Sequence, residues 1–110
     1  MRKLGTKPYA GSSGKQYEFN VYPGDMRFND FIPGVYVISQ EESEESGEND
    51  AIVFVGETDN VDVQLQNHEL QACFDEKGYN RISFYKNASR ELRQSIVEDL
   101  VPMLKPSCND

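Results

Sequence analysis

Few side chains in this 110-residue chain carry distinctive chemistry: one histidine, His68, and two cysteines, Cys73 and Cys108. Three such ligands could hold zinc only if the fold gathered them, because no CxxC pair supplies the short spacing of a zinc site. The plainer expectation is two reduced thiols, buried or half-buried, in a reducing compartment. His68 closes a polar run from Glu57 that follows the apolar stretch Val53-Phe-Val-Gly56. A second apolar stretch, Gly34-Val-Tyr-Val-Ile38, precedes it and contributes a tyrosine. Two strands and a polar segment thus hold a phenol, an imidazole and several carboxylates.

The rest of the chain must position that unit. The length suits one domain, residues 1–110, with a modest core. A hydrophobic share of 37% is ordinary for a globular chain despite the mean hydropathy of −0.68. The net charge of −8 opposes non-specific binding to phosphate backbones, which depends on lysine and arginine displacing counterions. A local basic patch would have to come from Arg2, Lys3 and Lys7, or from Arg90 and Arg93. No apolar run approaches membrane-spanning length and no charged-then-apolar leader opens the chain, so no membrane is expected and a cytoplasmic location is.

Residues 1–15, rich in Gly, Ser and Lys, read as a loose arm. Tyr17–Tyr22 alternates apolar and polar like a half-buried strand. Residues 24–33 form a connector with Phe28, Phe31 and Ile32 as anchors. Val35–Ser39 and Ala51–Val55 read as strands that pair antiparallel across the intervening loop. That loop, 41–50, holds six acids in ten residues and must be solvated. It could also act as a decoy for a basic partner.

Glu57–Leu70 alternates like a strand but also places Val61, Leu65 and His68 on one helical face. Helix is favoured, with Asp59 as N-cap and Asp62 complementing the dipole. Residues 71–80 read as a loop and Arg81–Lys86 as a strand. Residues 89–104 form a helix with an apolar stripe of Leu92, Ile96, Leu100, Met103 and Leu104. The expected fold class is α+β, a small, mostly antiparallel sheet flanked by helices.

Gly34-Val-Tyr36, Phe54-Val-Gly56, Glu57-Thr-Asp-Asn60, His68, the closing helix and Pro106…Asn109 together resemble the GIY-YIG nuclease superfamily over about residues 33–110. The resemblance implies a divalent metal, Mg²⁺ or Mn²⁺, held by a glutamate on the last helix, with a tyrosine, an arginine and a second tyrosine acting at the scissile phosphate. Tyr36 matches the first tyrosine, and His68 matches a histidine often found at that place. Phe54 stands where the second tyrosine belongs and Gln64 where the arginine belongs, and neither keeps the functional group. Aligning Pro106…Asn109 with the family's closing Pro…Asn puts the metal-ligand position on Val97. Glu98, the neighbouring residue, is rotated about 100° around the helix.

The resemblance therefore implies a catalytically degenerate nuclease-like domain, with no cofactor, that binds DNA or a protein partner. One alternative is an active endonuclease using Glu98 and a shifted arginine, Arg81, Arg90 or Arg93. The other is an interaction module unrelated to nucleases. Oligomeric state is left open.

Overall fold

The computed structural model describes residues 3–29, 31–40, 51–66 and 68–109. Its organising element is the strand Gly34–Gln40, in which every residue from Gly34 to Ser39 is buried. Alternate side chains of a strand point to opposite faces, so a wholly buried strand needs cover on both. Val35 and Val37 pack with Tyr9, Phe19, Val55, Ile96 and Leu100 on one face. Tyr36 and Ile38 pack with Tyr22, Phe28, Val53, Val61, Phe74 and Phe84 on the other. Each such side chain contributes about 1.5–3 kcal/mol on burial.

In chain order the elements are β1 (Gly5–Ala10), β2 (Gln16–Pro23), β3 (Gly34–Gln40), β4 (Ala51–Thr58), α1 (Val61–Gln66), α2 (Gln71–Lys77), β5 (Arg81–Lys86) and α3 (Arg90–Leu104). The five strands form one antiparallel sheet in the order β1-β2-β5-β3-β4. Residues of α1 and α2 join the core on one face and those of α3 the core on the other. The fold is α+β, as expected, and the β3–β4 pairing is the antiparallel one expected from the loop connection. Among the described residues no helix is long and apolar enough to cross a membrane. The acidic run 41–50 and Arg2 lie outside the described residues.

Four expectations are corrected. Residues 5–10 are not part of a loose arm but the edge strand β1, paired with β2 from Gly5↔Val21 to Ala10↔Gln16. The turn between them is fastened to α3 by Asp99. Its carboxylate accepts from Ser12 Oγ at 3.1 Å, Ser13 N and Oγ at 2.7 Å each, and Tyr17 Oη at 2.8 Å. These donors hold the Asp99 pKa at about 2.

Second, the helix expected over 57–70 shortens to Val61–Gln66, because β4 continues to Thr58. Asn60, not Asp59, supplies the cap, its Oδ1 accepting from Val63 N at 3.5 Å. Third, the segment expected as a loop at 71–80 contains α2, closed by Gly78 in the left-handed conformation at φ 68°.

Fourth, the buried face of α3 is Arg93, Ile96 and Leu100, flanked by Val97, Val101 and Leu104, whereas Leu92 and Met103 are each 55% exposed. Arg93 can lie on the buried face because its guanidinium finds partners there. The anchors of the 24–33 connector divide similarly. Phe28 is buried and Ile32 packs against the core, but Phe31 is 80% exposed at φ 62°.

Candidate functional site

Tyr36, Phe54 and His68 come together, although they belong to β3, β4 and the turn before α2. A β-bulge explains the position of Phe54. The β3–β4 register steps from Ile38↔Phe54 to Ser39↔Ile52, leaving Val53 unpaired. Val53 and Phe54 consequently pack into the same core. The Phe54 ring lies 5.8 Å from Tyr36, 4.9 Å from His68 and 5.5 Å from Phe74 between centroids.

Gly56, paired with Tyr36, leaves room for this arrangement. A Cβ there would sit 2.6 Å from the Phe54 ring and 2.8 Å from the Tyr36 hydroxyl. Gly34 leaves room for the Tyr85 carbonyl of β5 and for the Phe84 ring, which would lie 2.5 Å from an added Cβ. Gly56 is thus required for the aromatic packing of Phe54 and Tyr36, and Gly34 for the close approach of β5.

The hydrogen bonds of His68 define its proton. Leu70 N–H donates to Nδ1 at 3.1 Å, so Nδ1 is the acceptor and neutral imidazole carries its hydrogen on Nε2. Nε2 lies 2.9 Å from the Tyr36 hydroxyl oxygen, to which it therefore donates. Burial lowers the His68 pKa, with an opposing contribution from Glu69, which favours the neutral ring. Burial pushes the Tyr36 phenol further above its ordinary value of 10, so that it stays protonated; Gln64 approaches the hydroxyl and partly offsets this. Tyr36 is 1% exposed and His68 7%.

Beside this cluster runs a polar groove of about 270 Å³ lined by Glu57, Thr58, Asp59, Gln64, Arg90 and Arg93. Its chief feature is an ion pair absent from the sequence reading. Arg93 Nε donates to Glu57 Oε1 at 2.8 Å, and Nη1 donates to the Asn87 carbonyl at 3.1 Å. The Arg93 side chain is 5% exposed. The two residues stand 36 apart in the chain, and no local pattern announces them.

Arg93 therefore does not belong to a basic surface patch. A depression of about 370 Å³ elsewhere, floored by Met26, Ile38, Leu65, Phe74 and Ile82, includes none of Tyr36, His68 or Glu57. The groove that reaches the cluster through Gln64 carries charges of both signs, Glu57 and Asp59 with Arg90 and Arg93.

The remaining residues singled out in the sequence lie apart. Asn109 pairs its side-chain amide with the main chain of Val55, accepting from N and donating to O at 2.8 Å each. Glu98 is exposed and lines a groove with Ser12, Ser13, Lys15, Tyr17, Ser95 and Asp99. Val97 is half-buried in the α3-side core. Cys73 and Cys108 are joined in a disulfide with Cα atoms 6.2 Å apart, which corrects the expectation of reduced thiols. The fold lays residues 107–109 beside β4, within reach of α2, a proximity invisible in the 35-residue separation. Both sulfurs are thereby withdrawn from any site with His68.

No family model, curated protein or solved structure was found to match the chain.

Proposed function

We propose that the chain is a nuclease-like domain that has lost hydrolytic chemistry and acts by binding a partner, favouring a basic protein segment over nucleic acid. One observation carries the reading: the Tyr36 hydroxyl sits inside the fold and receives a hydrogen bond from a neutral His68. A tyrosine that activates water must reach that water and pass its proton to a base. Here the imidazole's lone pair is spent on Leu70 N–H, its proton faces the phenol, and burial holds the phenol protonated.

Two carboxylates that a divalent cation would need are otherwise committed, and among the described residues no group of three His, Cys, Asp or Glu is placed to hold a metal. Glu57 is engaged by Arg93, and Glu98 lies with the 12–17 turn. Arg93, held by Glu57 and the Asn87 carbonyl, is a poor phosphate donor. A net charge of −8 favours a cationic partner, with the acidic run 41–50 as the sequence feature that would attract it.

The test is a pair of titrations at low and physiological salt, one with a lysine-rich peptide and one with a short DNA duplex. Salt-sensitive binding of the peptide without binding of the duplex supports the reading. Tighter binding of the duplex overturns it.

A further inference from the structure

β4 is an end strand of the sheet, so its outer backbone groups need partners other than a neighbouring strand. The segment 107–109 supplies them. Ser107 N donates to Ile52 O at 3.1 Å and Cys108 N to Val53 O at 2.7 Å. The Asn109 side-chain amide then bonds both N and O of Val55, standing in for a further peptide unit. The covered run Ile52-Val-Phe-Val55 has no charge and no proline, the composition of an edge that pairs readily when bare.

This cover follows Lys105, the left-handed C-cap of α3, and is tied covalently to α2 through Cys108 and Cys73. α2 is short, seven residues, and its one buried residue is Phe74. Cys108 is buried whereas Cys73 is half-exposed, so the disulfide is approached from the Cys73 side.

We propose that the Cys73–Cys108 disulfide is a redox-operated strap that holds residues 107–109 on β4 and, once reduced, frees that edge. The reductant is a dithiol. One of its thiolates attacks the Cys73 sulfur, the Cys73–Cys108 bond breaks, and Cys108 leaves as a thiolate that takes up a proton. The second thiol of the reductant then resolves the mixed disulfide, leaving two cysteine thiols on the chain and an oxidised reductant. Without the covalent tie, the four hydrogen bonds to Ile52, Val53 and Val55 compete directly with water and with any strand offered to the edge. The strap stands apart from the partner-binding reading, since it concerns only the release of the chain's own segment.

Hydrogen exchange at single amides, read by NMR on oxidised and dithiothreitol-reduced protein, tests it, with thiol alkylation and mass spectrometry confirming the two redox states. The Val55 amide, whose hydrogen goes to Asn109, is the reporter. Reduction is expected to speed its exchange at least about tenfold while Val35 and Val37 in β3 change by less than about twofold. Cys73→Ser is expected to behave like the reduced chain without any reductant.

Three outcomes overturn the proposal. One is Val55 protection that is unchanged in a chain whose two thiols alkylate. Another is protection lost throughout the sheet, which would make the disulfide a staple of the whole fold. The third is two alkylatable thiols in protein kept under oxidising conditions.

Discussion

Asp62→Asn separates a charge from a shape and yields a prediction with a definite pH signature. Asp62 is 7% exposed and accepts from Arg27 Nε at 2.9 Å, Arg27 Nη2 at 2.8 Å and Phe28 N at 2.9 Å. The Arg27 hydrogen bond, then that of Phe28, hold its pKa at about 2 against an ordinary 3.8. That difference corresponds to roughly 2.4 kcal/mol at ~1.36 kcal/mol per pH unit. The Arg27 side chain is 65% exposed, so solvent screens the pair, and about 1–1.5 kcal/mol is the figure to expect.

A depressed carboxylate stabilises the fold above its unfolded pKa and loses that contribution as pH falls through the folded one. The asparagine variant should therefore be less stable than the parent by about 1–1.5 kcal/mol at neutral pH. The gap should narrow below about pH 4 and vanish near pH 2. Urea unfolding followed by circular dichroism at several pH values measures it. Asp99, also held at about 2, acts equally in both proteins and cancels in the difference. A gap that stays constant down to pH 2, or that is absent at pH 7, would refute the reasoning.

Other perturbations follow from the same contacts. Arg93→Met should destabilise the fold by about 3 kcal/mol, the low end for breaking a buried pair because the Glu57 side chain is 23% exposed. Glu57→Gln in that background should recover part of the loss in thermal unfolding. Gly56→Ala should cost about 1–3 kcal/mol by driving a methyl into Phe54 and Tyr36. Adding Tyr36→Phe should reduce that cost, a non-additivity that a double-mutant cycle by denaturant unfolding reads directly.

What the sequence made legible was local. Period-two alternation marked β2 and β5, and β-branched runs marked β3 and β4. The 3.6-residue periodicity located α3 to within a residue at its N-terminus. Tyr36, Phe54 and His68 were placed together through an assumed fold, and the structure brings them within 6.0 Å ring to ring.

Long-range pairings were the features missed. β1 looked like a loose arm because Gly5, Lys7, Pro8 and Ala10 carry weak strand propensity, and its pairing with β2 and the Asp99 anchor of the following turn override that. Arg93 was read as surface because arginine is seldom buried without a partner, and its partner Glu57 lies on β4. Asn109 looked like a site residue by resemblance, yet its amide completes the edge of a strand. Leu92 and Met103 fit the apolar stripe by spacing alone, but the face that α3 buries is that of Ile96, Val97, Leu100, Val101 and Leu104, with Arg93 on it.

The central claim is that the Tyr36–His68 pair is closed to water chemistry. Cleavage of plasmid and branched DNA in Mg²⁺ or Mn²⁺ by purified protein, with Tyr36→Phe alongside, tests it most directly. No metal-dependent cleavage above that of the variant is the predicted result. Cleavage by the parent that requires the metal and disappears in Tyr36→Phe would contradict it.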